Sequence, residues 1–195
     1  MRWLLFATLL LTFPVMAQTP PRAAVRHRHE LTRIAHAEWG LDAPIATFAA
    51  QIHQESAWNS NAISRVGARG MTQFMPGTTR WWCERRGIPA AQCLPHNPTW
   101  AMRAMVGYDK YLFERVYGNS EYDRMWAALR SYNGGLGHWR AEAWRAGSFE
   151  RVRVDSACGK AKRSRVHCKE NLGYPHRIIQ VLQPIYDTWG RGVQP

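Results

Sequence analysis

Acidic side chains are scarce in this chain: 14 Asp and Glu stand against 26 Lys and Arg in 195 residues, a formal net charge of +12. A protein this basic is drawn to polyanions rather than to cationic partners. No apolar run after the first residues is long enough to cross a bilayer, which sets polytopic membrane proteins aside. No stretch alternates at period two and no internal repeat is visible, so sheet-dominated folds and solenoids have no support. Cysteine is limited to Cys83, Cys93, Cys158 and Cys168, and their C-x9-C spacings do not match the tight ligand pairs of zinc sites.

The chain begins "MRWLLFATLLLTFPVMAQTPP", with Arg2, an apolar run from Trp3 to Phe13 and a V-x-A pattern before Gln18. This reads as a secretory signal peptide over 1–17, cleaved after Ala17; an uncleaved anchor is the alternative. No cysteine follows the run, which argues against a lipoprotein anchor. Losing the single Arg2 would leave 12 − 1 = +11. An even number of cysteines in an exported chain points to oxidation, and the expected bonds are the local pairs Cys83–Cys93 and Cys158–Cys168. The basic residues gather in "RAAVRHRHELTR" and "RVRVDSACGKAKRSRVHCK". Export favours cell wall, anionic lipid headgroups or an acidic protein over nucleic acid as the polyanion, and a merely solvated face accounts equally for the charge.

The length suits one domain. The expected division is a signal peptide over 1–17, a flexible basic segment over 18–29, a helical domain over 30–190 and a tail over 191–195. "HELTRIAHAEWG" predicts a helix stopped by Gly40, and Asp42 with Pro44 predicts the start of a second that runs to about Trp58. From Asn59 to Gly77 the helical period is lost, and Gly67, Gly70, Pro76 and Gly77 predict a loop or short ribbon. A helix follows from about Thr78 to Gly87. Asn97-Pro98 caps a long one ending by Gly118, and Ser120 opens another stopped at Asn133-Gly134-Gly135. A terminal helix, "YPHRIIQVLQPIYDTWG", is expected to break or kink at Pro184. The fold class is therefore all-α, with at most one small β ribbon.

The second helix carries a carboxylate where a core residue is due. Ile45, Phe48, Ile52 and Glu55 fall at i, i+3, i+7 and i+10, on one face. Burying an unpaired carboxylate is costly, so the group takes a raised pKa or a partner, and a neutral carboxyl at neutral pH can donate a proton. That is a general acid.

"QESAWNSNAISRVGARGMTQFMPGTT", "ALRSYNGG" and "KENLGYPHRI", in this order and spacing across about Ile45 to Ile185, resemble the successive motifs of the soluble lytic transglycosylase family. The resemblance implies a lysozyme-like fold of the goose type, with Glu55 as the sole catalytic acid/base and Ser56 beside it. It implies that Gly70, Gln73 and Pro76 match a cleft-lining G-x-x-Q-x-x-P segment, with Thr72 where methionine is common. Tyr132 and Asn133 match the third motif and Glu170 and Tyr174 the last, with Pro175 where a branched aliphatic is usual. Ser56, Gln73, Tyr132, Asn133 and Tyr174 are thereby the substrate-binding or positioning candidates, and Glu170 is either a second acid or an ion-pairing residue. Trp81, Trp82, Trp139 and Trp144 offer flat faces that would suit sugars, although core packing is the more usual role of a tryptophan.

The implied reaction cuts peptidoglycan between N-acetylmuramic acid and N-acetylglucosamine, leaves 1,6-anhydro ends, and needs no metal or organic cofactor. The implied setting is the periplasm. Two alternatives stay open: a hydrolytic muramidase of the same fold, and a noncatalytic wall-binding subunit of a secretion, conjugation or pilus machine. Such machines are also the expected protein partners of a small enzyme of this kind.

Overall fold

The structure is a computed structural model that describes residues 19–195, so the expected signal peptide and its cleavage site lie outside the described residues. Nine helices, α1 Arg22–Val25, α2 Arg28–Trp39, α3 Ile45–Ser56, α4 Pro76–Arg85, α5 Pro98–Phe113, α6 Glu121–Gly134, α7 Leu136–Ala146, α8 Arg151–Ser156 and α9 Cys168–His176, carry the described fold. The last continues through a π-helical stretch, Arg177–Leu182, into a 3-10 stretch, Gln183–Trp189. Two isolated antiparallel bridges, Ile63 with Arg69 and Arg69 with Phe74, are the only ribbon among the described residues.

The central element is α3. Its residues from Ile45 to Ile52 are all buried, so it is enclosed all round rather than along the one stripe its periodicity suggests. It packs against α2 and against both parts of the terminal helical segment, while α5 bridges α2 and α6, and α6 rests on α7 and α9. Phe48, Ile52, Met102, Met105, Met125, Leu129 and Ile178 meet in this core. Buried Thr47 is fastened by donating to Gln183 Oε1 (2.6 Å) and accepting from the Val193 amide (3.1 Å), and Gln183 Nε2 donates to the Val193 carbonyl (3.0 Å).

Helix ends follow local chemistry where it is strong. Asn97 caps α5 by accepting from the Trp100 amide, with Pro98 in its first turn, and Ser120 caps α6 by accepting from the Asp123 amide. Gly40 and Gly135 end α2 and α6 at φ of 87° and 89°. Four expectations need correction. The segment 18–29 holds α1, with Ala24 fully buried, and the start of α2. The tail 191–195 is stitched to the core through Val193. A helix, α7, begins directly after Gly135, because a glycine that stops one helix also turns the chain into the next. The terminal helix changes geometry twice rather than once: Pro175 lies inside α9 and the ladder turns π at Arg177, since removing an amide donor invites a locally widened turn, and it turns 3-10 at Gln183, at the break expected by Pro184. No helix among the described residues is long and apolar enough to cross a membrane.

Disulfides join Cys83 to Cys93 and Cys158 to Cys168. Just past Cys93, the Pro95 carbonyl lies against Gly70, where any Cβ would collide with it, and His96 Nδ1 lies 3.0 Å from the Ser60 carbonyl. The segment leading away from α3 is thus braced from outside.

Candidate active site

Two cavities meet at Glu55, Asn133 and Glu170. One, of about 600 Å³, runs between the end of α3 and α9 and is lined by Gln54, Lys169, Gly173, Tyr174 and Arg177. The other, of about 270 Å³, runs under the ribbon and is lined by Gln73, Phe74, Met75, Tyr108 and Tyr132. Together they make a groove with Glu55 midway. The carboxyl sits in the last turn of α3, where the exposed carbonyl ends of a helix disfavour negative charge. Its pKa is pushed up to about 8, first by burial, then by the nearby Glu170; the hydroxyl of Tyr174, which donates to Glu55 Oε1, pulls the other way. Glu55 is therefore a largely protonated acid at neutral pH.

Around it, aromatic hydroxyls are committed. Tyr174 is stacked on Tyr132, with centroids 6.5 Å apart, and Tyr132 donates to the Thr72 carbonyl at 2.7 Å. Burial and the Glu55 carboxyl hold both phenols well above the usual tyrosine range, so they remain donors. Ser56 donates to the Met71 carbonyl at 2.9 Å, so it ties the cleft loop to α3 and does not touch Glu55. Gln73, in a left-handed conformation with φ of 49°, points its amide nitrogen back to the Gly70 carbonyl at 2.8 Å. Strain of this kind in a non-glycine residue persists where surrounding contacts over-determine it. Asn133 Nδ2 donates to Glu170 Oε1 at 3.2 Å, and Asn133 Oδ1 accepts from Asn171 Nδ2 at 2.9 Å.

Behind Asn133 lies an ionic cluster. Arg130 and Glu142 are wholly buried and paired, and Arg163, from the loop closed by Cys158 and Cys168, donates to the other Glu142 oxygen at 2.8 Å. Arg130 also donates to Asp155 at 2.9 Å and to Asn171 Oδ1 at 3.0 Å. Asn171 then hands its amide protons to the Arg130 carbonyl and to Asn133. The second disulfide loop is thus wired to the cleft through a chain of side chains.

Of the sequence candidates, Glu55, Gln73, Tyr132, Asn133 and Tyr174 line the groove, as does Glu170, whereas Ser56 only buttresses it. None of Trp81, Trp82, Trp139 and Trp144 lines it; Trp82 and Trp139 are core, and Trp144, 84% exposed, faces elsewhere. The groove's aromatic wall is instead Phe74, Tyr108 and Tyr132, with Phe74 edge to face on both tyrosines and the two tyrosines tilted against each other. Tyr108, Lys169 and Arg177 carried no signal in the sequence, since nothing in the helical period of α5 or α9 separates a cleft face from a solvent face. Among the described residues no three His, Cys, Asp or Glu side chains come together as a metal site needs.

Residues 32–152 match the family described as "Transglycosylase SLT domain". Over 91 residues the chain is 38% identical to membrane-bound lytic murein transglycosylase F of Alteromonas mediterranea, covering 46% of this chain and 18% of that protein. It is 34% identical over 105 residues to the protein of the same name from Vibrio cholerae, covering 53% of this chain and 17% of that one. The chain spans less than one fifth of the length of these curated relatives. Two solved structures share the fold: the 70 kDa soluble lytic transglycosylase of Escherichia coli, at a TM-score of 0.65 and 21% identity over 85% of this chain and 25% of that one, and lytic transglycosylase Slt of Pseudomonas aeruginosa, an inactive Glu-to-Gln mutant, at 0.67 and 23% over 88% and 26%. At these identities the likeness is one of fold.

Proposed function

The chain belongs to the transglycosylase SLT domain family, and we propose that it is a lytic transglycosylase that cuts the bond between N-acetylmuramic acid and N-acetylglucosamine in peptidoglycan, with Glu55 as its acid and base. The observation that carries this reading is Glu55 itself: a carboxyl midway along a groove, donated to by Tyr174, with a pKa pushed up to about 8. Protonated Glu55 gives its proton to the bridging oxygen as the glycosidic bond breaks. The resulting carboxylate takes the proton of the muramyl 6-hydroxyl as that oxygen bonds to the anomeric carbon. The ring closes to the 1,6-anhydro sugar, no water is consumed, and Glu55 ends protonated as it began.

The other groove residues serve this exchange. Tyr174 stabilises the carboxylate between the two proton transfers, and Tyr132 and Asn133 fix the walls on either side. Gln73 and Phe74 face the second arm of the groove, Lys169 and Arg177 the first, where acidic groups on a stem peptide would meet them. Export to the periplasm is part of the same proposal, as is docking to a secretion, conjugation or pilus machine. The relatives' own names, membrane-bound lytic murein transglycosylase F, support the substrate.

A hydrolytic reading has one observation in its favour. Glu170 lines both arms of the groove and stands where a second carboxylate could hold a water. Mass spectrometry of fragments released from purified peptidoglycan separates the two. Anhydro ends, absent with Glu55→Gln, are expected; reducing ends would make the protein a muramidase, and an unaltered cellular phenotype in Glu55→Gln would make it a binding subunit.

A further inference from the structure

We propose that Asp109 is a protonated carboxylic acid at neutral pH, joined to Gln51 as a two-bond acid–amide pair, and that this pair positions Glu55 from one helical turn below. Gln51 lies four residues before Glu55 on α3, so the two share a face. Asp109 comes from α5, and both it and Gln51 are without solvent exposure. Gln51 Nε2 donates to Asp109 Oδ1 at 3.3 Å, which leaves two oxygens, Gln51 Oε1 and Asp109 Oδ2, buried and without any donor among the described residues.

Two acceptors with no donor, on groups already in contact, are satisfied together by a single proton. Placed on Oδ2, it is donated to Oε1 and closes the ring that Nε2 and Oδ1 begin. An ionised Asp109 would leave both oxygens unpaired and a negative charge in the core. The ionisable groups that feel Asp109 are Glu55 from α3, Tyr108 on α5, Tyr132 from α6 and Tyr174 from α9, each a group that is neutral or negative and none a cation. Burial pushes the Asp109 carboxyl well up, the hydrogen bond from Gln51 pulls it partly back, and the Glu55 carboxyl adds a lesser push upward.

The consequence for the cleft is twofold. The pair latches α3 to α5 directly beneath the turn that carries Glu55, and because it is neutral it holds that turn without adding charge behind the acid. The positioning role rests on Glu55 being the reacting group; the proton on Asp109 does not.

The test is carboxyl carbon NMR on protein labelled at aspartate Cγ, the Asp109 peak being the one lost in Asp109→Asn or, if that variant does not fold, the one displaced in Gln51→Leu. The peak is expected at the position of a protonated acid and unmoved between about pH 5 and 8, far above the ordinary range of an aspartate. A carboxylate peak at neutral pH overturns the proposal, whether or not the protein cuts peptidoglycan. For the positioning role, Asp109→Leu is expected to lower kcat about tenfold with little change in KM, since it strands Gln51 and frees the turn. Asp109→Asn, which rebuilds the ring as an amide–amide pair, is expected to restore kcat and the position of the alkaline limb. A limb moved a unit or more to lower pH in Asp109→Asn would mean that a charge had been removed, and would equally overturn it.

Discussion

Glu55 titrates near the pH at which cells live, and that makes its chemistry measurable. As the acid form is the one that starts the reaction, kcat/KM is expected to fall as pH rises through about 8, with Glu55→Gln removing activity at every pH. Stability should carry the same signature with a definite sign. The unfolded chain ionises Glu55 near 4.5 and the folded chain near 8, so folding takes up a proton between them and stability drops as pH rises across that window. Glu55→Gln is therefore expected to be more stable than the parent at neutral pH by roughly 1–3 kcal/mol, a gain that thermal unfolding should show vanishing below about pH 4.5. Tyr174→Phe removes the donor that lowers the Glu55 pKa, so the alkaline limb should move to higher pH while the rate falls about tenfold or more. At this scale the sequence spoke through spacing: the i, i+7, i+10 pattern put Glu55 on the buried face without any knowledge of its partners. Gln51 and Asp109 were silent, because a polar residue inside an apolar helix declares a partner only when another helix is laid against it.

Elements were legible where their ends carry side-chain chemistry. Asn97-Pro98 and Ser120 announced α5 and α6, and Gly40 closed α2. The helices α7 and α8 were not, since Gly135 reads as a stop and the basic stretch after it reads as loop. What orders that stretch is the buried set of Arg130, Glu142 and Arg163, whose members sit 12 and 21 residues apart and are joined only in the fold. Removing one partner from such a set leaves a charge stranded in the core. Glu142→Ala, which strands Arg163 and leaves Arg130 only Asp155, is expected to cost about 3–5 kcal/mol in urea unfolding, whereas the exposed pair Arg33–Glu30 should yield less than about 1 kcal/mol to the same measurement. Because Asn171 links Arg130 to Asn133, protein carrying Arg163→Met that remains folded should also lose activity, read as kcat at a substrate concentration that saturates the parent.

At the scale of the molecule, a formal charge of +12 predicts wall association that weakens steeply between low and physiological salt, measurable by sedimentation with insoluble peptidoglycan using Glu55→Gln to prevent digestion. Helical periods and caps made the all-α class plain, and composition the basic character. It could not show that the chain's last residues belong to its core: α3 is covered by Ile178, Ile179, Leu182 and Tyr186 and strapped at Thr47 by Val193. Deleting residues 190–195 should therefore lower the melting temperature as a core truncation would, by about 2–4 kcal/mol of stability, rather than trim a tail without effect. The same strap sets a schedule. Between the end of α3 and Val193 the ribosome adds 193 − 56 = 137 residues, which at about 5–20 residues per second takes roughly 7–27 s. Throughout that interval the helix bearing Glu55 lacks the cover of the terminal segment, and Tyr174 is either unmade or undocked. Its carboxyl is then an ordinary ionised one, and the growing chain holds no usable proton until the terminal segment has closed over α3.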